Sequence, residues 1–281
     1  MYDLTDINTL HRIFEKNGFN LKKGLGQNFI VDPEVCPQIA HHADIDGEGV
    51  IEIGPGAGVL TCELAKRAKK VVCIELDTKL KPILADTLSD FDNVTVVFAD
   101  VMKCDLKAII NEHFKGMKVS VCANLPYYIT SPIIMMLLES RLPIDNITVM
   151  VQLEAAERIC AEVGTRESGA VTAAVSYYAE KEILFEVSRK SFMPSPNVDS
   201  AVIKLSILKE PPISVDDEKK FFRLVKACFA QRRKTLVNTV SNTLNIEKNK
   251  LREALKMLEL PETVRGEQLN LEQLGKLSDL I

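Results

Sequence analysis

Five short β-branched runs, Val50–Ile53, Val71–Ile74, Val94–Phe98, Val119–Ala123 and Ile147–Gln152, punctuate the first half of the chain. Stretches with helical spacing, such as Leu60–Ala68 and Leu80–Leu88, lie between them. Strands that are apolar throughout are buried on both faces, and their alternation with helices predicts βαβ units around a parallel sheet. Two further strand-like runs follow, Ile183–Val187 and Ala201–Leu208, with Pro194 and Pro196 in the loop between them. Past Leu208 the pattern changes. Pro211–Pro212 marks a linker, and Glu218–Val240, Glu247–Leu258 and Leu271–Leu280 read as helix only. The expected fold is an α/β domain over 1–208 followed by a small all-helical domain over 212–281.

Composition narrows the function class. Of 281 residues, 46% are hydrophobic and 26% charged, close to the globular average, which excludes disordered, collagen-like and coiled-coil chains. The 7 cysteines are odd in number, scattered, and form no C-x-x-C pair; the 4 histidines have no metal-ligand spacing. A disulfide scaffold and a zinc ribbon are therefore excluded, no metal is expected, and the thiols read as reduced in a cytoplasm. No apolar run approaches the ~18 residues of a membrane span, so a soluble cytoplasmic protein with no membrane partner is expected. The net charge of −4 speaks against a nucleic-acid binder, but its distribution does not. Between Lys181 and Val240 there are 12 basic residues against 7 acidic ones, and Lys219–Lys234 carries seven basic residues and no acid.

Chemistry gathers at the strand ends. Val50–Ile53 runs into Gly54-Pro-Gly56-Ala-Gly58, a turn whose glycines permit positive φ and let a ligand approach bare backbone at a helix N-terminus. The third glycine comes one residue too early for the G-x-G-x-x-G dinucleotide fingerprint, which weakens a nicotinamide reading. The second strand ends in Ile74-Glu75-Leu76-Asp77, and an acid 21 positions beyond Gly54 suits the ribose hydroxyls of an adenosine cofactor. Asp100, after the third strand, suits an adenine amino group. In series, the three features point to S-adenosylmethionine.

The fourth strand delivers Asn124-Leu125-Pro126-Tyr127-Tyr128 to the same sheet edge. Pro126 fixes its own φ and biases Leu125 to extended geometry, so nearby carbonyls turn into the cleft. An Asn amide oxygen and a backbone carbonyl together accept from an exocyclic –NH₂, drawing the nitrogen lone pair toward an electrophile while a tyrosine stacks on the base.

With these motifs the chain resembles the rRNA adenine dimethyltransferases, most closely the KsgA/RsmA type that modifies small-subunit rRNA. The resemblance runs from Gly26-Gln27-Asn28-Phe29 through Glu52-Ile-Gly54-Pro-Gly56, Asn124–Tyr127 and Ser191-Phe192-Met-Pro194 to Gln231-Arg232-Arg233-Lys234. It implies a Rossmann-like methyltransferase sheet with an RNA-binding helical C-terminal domain. It also implies a cofactor site of Asn28, Ile30, Gly54, Glu75, Asp100 and Asn124. Asn124, Pro126 and Tyr127 would hold the target adenine, with Phe192 closing over its other face. The implied activity is dimethylation at N6 of two adjacent adenines in the 3′-terminal hairpin of 16S rRNA, with a role in small-subunit biogenesis. The implied partner is an immature small subunit, and a monomer is expected. Three positions depart from the family pattern: Leu153 and Val237 stand where relatives carry basic residues, reducing the RNA-facing charge, and Ser168 stands where a tyrosine is usual.

Methyl transfer here is expected to be direct in-line displacement by adenine N6, without a cysteine nucleophile. If Lys219–Val237 is one helix, Lys219, Arg223, Lys226 and Arg233 form a single basic stripe, and Phe222, Val225, Phe229 and Leu236 an apolar one. Lys22, Lys23, Arg232 and Lys234 complete the expected RNA-binding set. The pair His41-His42 reads as helix surface. Two other classes compete: a nicotinamide oxidoreductase, which leaves Asn124–Tyr128 without a role, and a non-catalytic assembly factor, which leaves an intact cofactor site unexplained.

Overall fold

The computed structural model describes residues 2–20 and 27–281. The chain divides into two compact units, Met1–Ala156 with Glu182–Ile207, and Glu157–Lys181 with Leu208–Ile281. The second unit thus draws on residues 157–181 as well as on everything past 208, so the chain passes between units three times.

In the first unit the elements run α1 (Ile7–Lys16), β1 (Phe29–Ile30), α2 (Val35–His42), β2 (Gly49–Ile53), α3 (Val59–Ala65), β3 (Lys70–Glu75), α4 (Lys81–Thr87), β4 (Val94–Phe98), α5 (Leu106–His113), β5 (Val119–Asn124), α6 (Thr130–Glu139) and β6 (Asn146–Gln152). Then α7 (Leu153–Cys160) leads into the second unit and α8 (Ala170–Tyr178) lies within it. The chain returns along β7 (Ala179–Val187) to β8 (Phe192–Met193) and β9 (Ser200–Ile207). The second unit closes with α9 (Glu218–Cys228), α10 (Leu236–Leu244), α11 (Lys248–Met257) and α12 (Leu271–Leu280).

The main sheet has seven strands in the order β4-β3-β2-β5-β6-β9-β7. The five expected strands are mutually parallel, and β9 runs antiparallel to β6. From β2 the order proceeds one way through β3 and β4 and the other way through β5 and β6. Such a switch point leaves a crevice at the carboxyl ends of the two central strands, where α/β folds bind ligands. All of β2 is buried, as its unbroken apolar character requires, whereas β4, at the sheet edge, is half-buried along its length.

In the second unit the expected single helix over Glu218–Val240 is two. α9 stops at Cys228 and α10 starts after the cap Thr235, whose Oγ1 accepts from Asn238 N. The buried face of α9 is Phe221, Leu224 and Val225 with Ala227 and Cys228, not the expected stripe of Phe222, Val225, Phe229 and Leu236. Phe221 packs against Tyr177 at 5.3 Å between ring centroids, and Phe222 stacks on Tyr178 at 5.3 Å. The break removes the continuous basic stripe: Lys219, Arg223 and Lys226 stay on α9, while Arg232, Arg233 and Lys234 fall in the turn. No helix among the described residues is long and apolar enough to cross a membrane.

Candidate functional site

A cavity opens in the first unit at the carboxyl ends of β2, β3 and β5. Its floor is the turn after β2, where Gly54, Gly56 and Gly58 all have positive φ, at 72°, 59° and 92°. Side chains adopt this region at a cost of roughly 1–2 kcal/mol, so glycine is required here. Gly54 lines the cavity, and no atom comes within 4 Å of where its Cβ would stand; a side chain there would project into open space that a ligand needs.

Glu75 ends β3 and is buried. Its Oε1 accepts from Asp77 N at 2.7 Å and its Oε2 from Gly56 N at 3.3 Å, so the carboxylate ties the acidic loop to the glycine turn. Burial raises its pKa, and the two backbone N–H groups pull it back. Asp100 lies on the cavity wall after β4, oriented by Met102 N, which donates to Oδ1 at 3.0 Å, and by Lys103, 3.3 Å from Oδ2. Asn124 ends β5. Its Nδ2 donates to Asn28 O at 3.3 Å, which leaves Oδ1 as the acceptor without a partner among the described residues. Asn28 and Ile30 line the same cavity, held by the β1–β8 pair in which Ile30 lies opposite Phe192.

The segment after Asn124 forms the cavity's second wall. The Tyr127 hydroxyl and Ser200 Oγ share a hydrogen bond at 2.8 Å, which fixes the ring from β9, while Tyr128 is 60% exposed. The Pro126 carbonyl is engaged by Ile129 N at 3.1 Å and Thr130 Oγ1 at 3.3 Å. Of the two carbonyls flanking the Leu125–Pro126 bond, Leu125's is therefore the one left for a ligand. Phe192 stands apart from these residues. It is 5% exposed, belongs to the core cluster with Phe29 and Ile30, and is not part of the cavity wall.

One wall residue was missed. Glu52, the penultimate residue of β2, reaches the cavity although only 1% exposed; Thr61 Oγ1 donates to its Oε2 at 2.6 Å and Cys73 Sγ at 3.3 Å. Among the described residues, three carboxylates, Glu52, Glu75 and Asp100, line the cavity, and no lysine, arginine or histidine does.

The sequence of this chain matches the profile of the family described as ribosomal RNA adenine dimethylase over residues 18–273. The chain belongs to the ribosomal RNA adenine dimethylases. It is 49% identical over 274 residues to the ribosomal RNA small subunit methyltransferase A of Geobacillus thermodenitrificans, covering 96% of this chain and 94% of that one. Among solved structures it is similar to a dimethyladenosine transferase from Plasmodium falciparum, at TM-score 0.72 and 28% identity over 88% of this chain and 95% of the other. It is also similar to the 23S rRNA methyltransferase ErmE, at TM-score 0.68 and 27% identity over 90% and 98% of the two chains. The dimethylases use S-adenosyl-L-methionine, and the cavity fits it. Left-handed glycines offer bare backbone, and the charged lining side chains among the described residues, all carboxylates, suit a ligand that carries a sulfonium and an ammonium.

The basic residues of the second unit form a separate feature of this dimethylase. Lys219, Arg223, Lys226, Arg233 and Lys234 are exposed. Arg232 is also exposed but engaged: its Nε bonds Glu267 Oε2 at 3.0 Å and a guanidinium NH₂ bonds the Arg166 carbonyl. Arg166, Arg233 and Arg265 line a shallow recess with Arg232, Glu167 and Glu267. Arg166 and Arg265 lie too far away in sequence to have been grouped with the Arg232-Arg233-Lys234 run. Lys22 and Lys23 lie outside the described residues. Val237 is buried, so no RNA-facing charge is lost at that position; Ser168 is buried too, its Oγ donating to Thr165 O at 2.7 Å and Glu267 O at 3.4 Å.

Proposed function

We propose that this chain transfers methyl groups from S-adenosyl-L-methionine to N6 of two adjacent adenines in the 3′-terminal hairpin of small-subunit rRNA. The substrate would be an immature small subunit in the cytoplasm, and the chain would act as a monomer. The observation that carries the reading is Asn124: its amide is oriented by Asn28, in the same cavity that Glu75 and Asp100 line. When bound, the cofactor supplies a methyl group made electrophilic by the sulfonium.

The residues of this chain do the rest by placement. Glu75 would receive the ribose hydroxyls and Asp100 the adenine amino group of the cofactor, with Asn28, Ile30 and Gly54 forming the adjoining wall. Asn124 Oδ1 and the Leu125 carbonyl would accept the two N6 hydrogens of the target base. Both acceptors pull the nitrogen lone pair out of conjugation and aim it along the in-line path. Pro126 fixes the backbone between them, and Tyr127, anchored by Ser200, offers a stacking face worth roughly 1–3 kcal/mol of base binding. The attached proton leaves to water after transfer. Catalysis by positioning has a ceiling of about 7–11 kcal/mol, which needs no general base in the cavity. Phe192, buried on β8 opposite Ile30 of β1, would support that wall rather than cover the base.

The test is methyl transfer from labelled cofactor to small subunits lacking the modification, with naked rRNA and large subunits in parallel. N6,N6-dimethyladenosine on small subunits alone is the expected product. Cofactor binding without transfer to any substrate would instead favour a non-catalytic assembly factor.

The exposed basic residues of the second unit would contact phosphates, which set affinity and its salt dependence. Arg233→Ala and Lys234→Ala should each lower the slope of log affinity against log salt by about 0.7–1, without changing thermal stability. Arg232→Ala should lower the melting temperature as well, because it releases Glu267 and the Arg166 carbonyl. Equal salt slopes in all three variants and the parent would remove these residues from the RNA face.

A further inference from the structure

Tyr128 borders the cavity, and the chemistry proposed above gives it no role. Of the well-exposed large hydrophobic side chains among the described residues, only Leu76 and Tyr128 line this cavity. Leu76 follows Glu75 at the end of β3, the side assigned to the ribose of the cofactor. Tyr128 follows Tyr127 beyond the end of β5, the side assigned to the target base.

The backbone that carries Tyr128 is fixed, and its ring is bare. Tyr127–Ile129 is a single 3-10 turn between β5 and α6. The Pro126 carbonyl accepts from Ile129 N and from Thr130 Oγ1, and Thr130 is buried, so the turn is pinned on both sides of Tyr128. The ring is 60% exposed; among the described residues it meets no other aromatic ring, and its hydroxyl makes no hydrogen bond. A lone exposed aromatic on an open surface needs no explanation. On a rigid turn beside a cavity that admits a base, it is a preformed flat face with only two torsions to fix on binding.

The N6 of the target adenine reaches Asn124 only when the base has left the stack with its neighbours, and extrusion bares a face of the adjacent nucleotide. That face and the Tyr128 ring are both apolar and both wet until they meet. We propose that Tyr128 is a substrate-binding residue that stacks on the base next to the target adenine, so that Tyr127 and Tyr128 receive two consecutive purines. The inference rests on the reaction proposed above and deepens it, because it makes the neighbouring nucleotide part of what the chain recognises. A purine offers the tyrosine two fused rings and a pyrimidine only one, so adenine beside the target is favoured over uridine through stacking strength alone.

The experiment is steady-state methyl transfer to small subunits reconstituted with the natural adenine pair or with either adenine replaced by uridine. The enzymes are the parent chain, Tyr128→Ala, Tyr128→Leu and Tyr128→Phe. With the parent, a neighbouring uridine should lower kcat/KM at the remaining adenine by about fivefold or more on at least one altered template. Tyr128→Ala should lower kcat/KM on the natural pair by about 5- to 100-fold and abolish the difference between templates. Tyr128→Leu restores apolar bulk without a flat face and should behave as alanine does, whereas Tyr128→Phe should restore both the rate and the template difference. All four should bind S-adenosylhomocysteine with equal affinity, since the ring serves the base and not the cofactor. The comparison is between templates on one preparation, so it holds even for a variant that is partly unfolded. A parent indifferent to the neighbouring base, an alanine variant that keeps the template difference, or full rescue by leucine overturns the stacking assignment. Absence of transfer by the parent to the natural pair would overturn the proposed reaction itself, and this inference with it.

Discussion

Asn124→Ala should lower kcat for methyl transfer by roughly 100- to 1,000-fold while weakening S-adenosylhomocysteine binding by no more than about tenfold. The split follows from the geometry. Asn124 Nδ2 reaches back to the Asn28 carbonyl at 3.3 Å, a single neutral hydrogen bond on the cofactor side, whereas Oδ1 has no partner among the described residues. Alanine removes the second function entirely and the first at modest cost. Turnover and calorimetry on one preparation check both halves. Near-parental kcat in a variant that still binds cofactor would exclude steering of N6 by this amide.

Glu75→Ala should weaken cofactor binding by 100-fold or more, with about 1.5–3 kcal/mol lost for each hydrogen bond to the charged carboxylate. The loss is compounded inside the protein, because the same carboxylate fastens Gly56 N and Asp77 N. Without it, a turn built on three left-handed glycines loses one tie to β3 and keeps the bond from Gly54 N to Ile74 O at 2.9 Å. Glu75→Gln separates the two contributions: its amide oxygen can still accept from Asp77 N, but its NH₂ opposes Gly56 N. An intermediate affinity is expected, measured by the same calorimetry. An alanine variant that binds cofactor within threefold of the parent would show that the ribose is held elsewhere.

These residues were legible in the sequence because their signals are local. The apolar run of β2 and the glycines behind it occupy a dozen consecutive positions, and a parallel sheet then carries Glu75, Asp100 and Asn124 to the same edge by its own regularity. What escaped notice depends on distant contacts. Nothing in Phe229–Thr235 is a helix breaker, yet α9 ends at Cys228, where Gly266 packs so closely that a Cβ on it would stand 2.3 Å from the Cys228 carbonyl oxygen. The helix stops at a wall set 38 positions along the chain. Glu52 reads as an ordinary interruption of an apolar strand until Thr61 and Cys73 are seen to share one of its oxygens and leave the other. Phe192 was expected over the target base on the strength of its motif. A two-residue strand too short to leave a periodic signal turns it inward.

The threefold passage of the chain between its units sets an order of events during synthesis. α8 presents Tyr177 and Tyr178, but the helix that covers them with Phe221 and Phe222 is encoded some 40 residues downstream. At roughly 5–20 residues per second, those rings wait about 2–8 s on a nascent chain before their partners emerge. A chain released at residue 208 would hold its sheet strands but lack Phe221 and Phe222, against which Tyr177 and Tyr178 pack. Severing the coding region at the linker would therefore not yield two self-sufficient halves. The helical unit is complete only when the last quarter of the chain has been made, because residues 157–181 belong to it together with Leu208–Ile281.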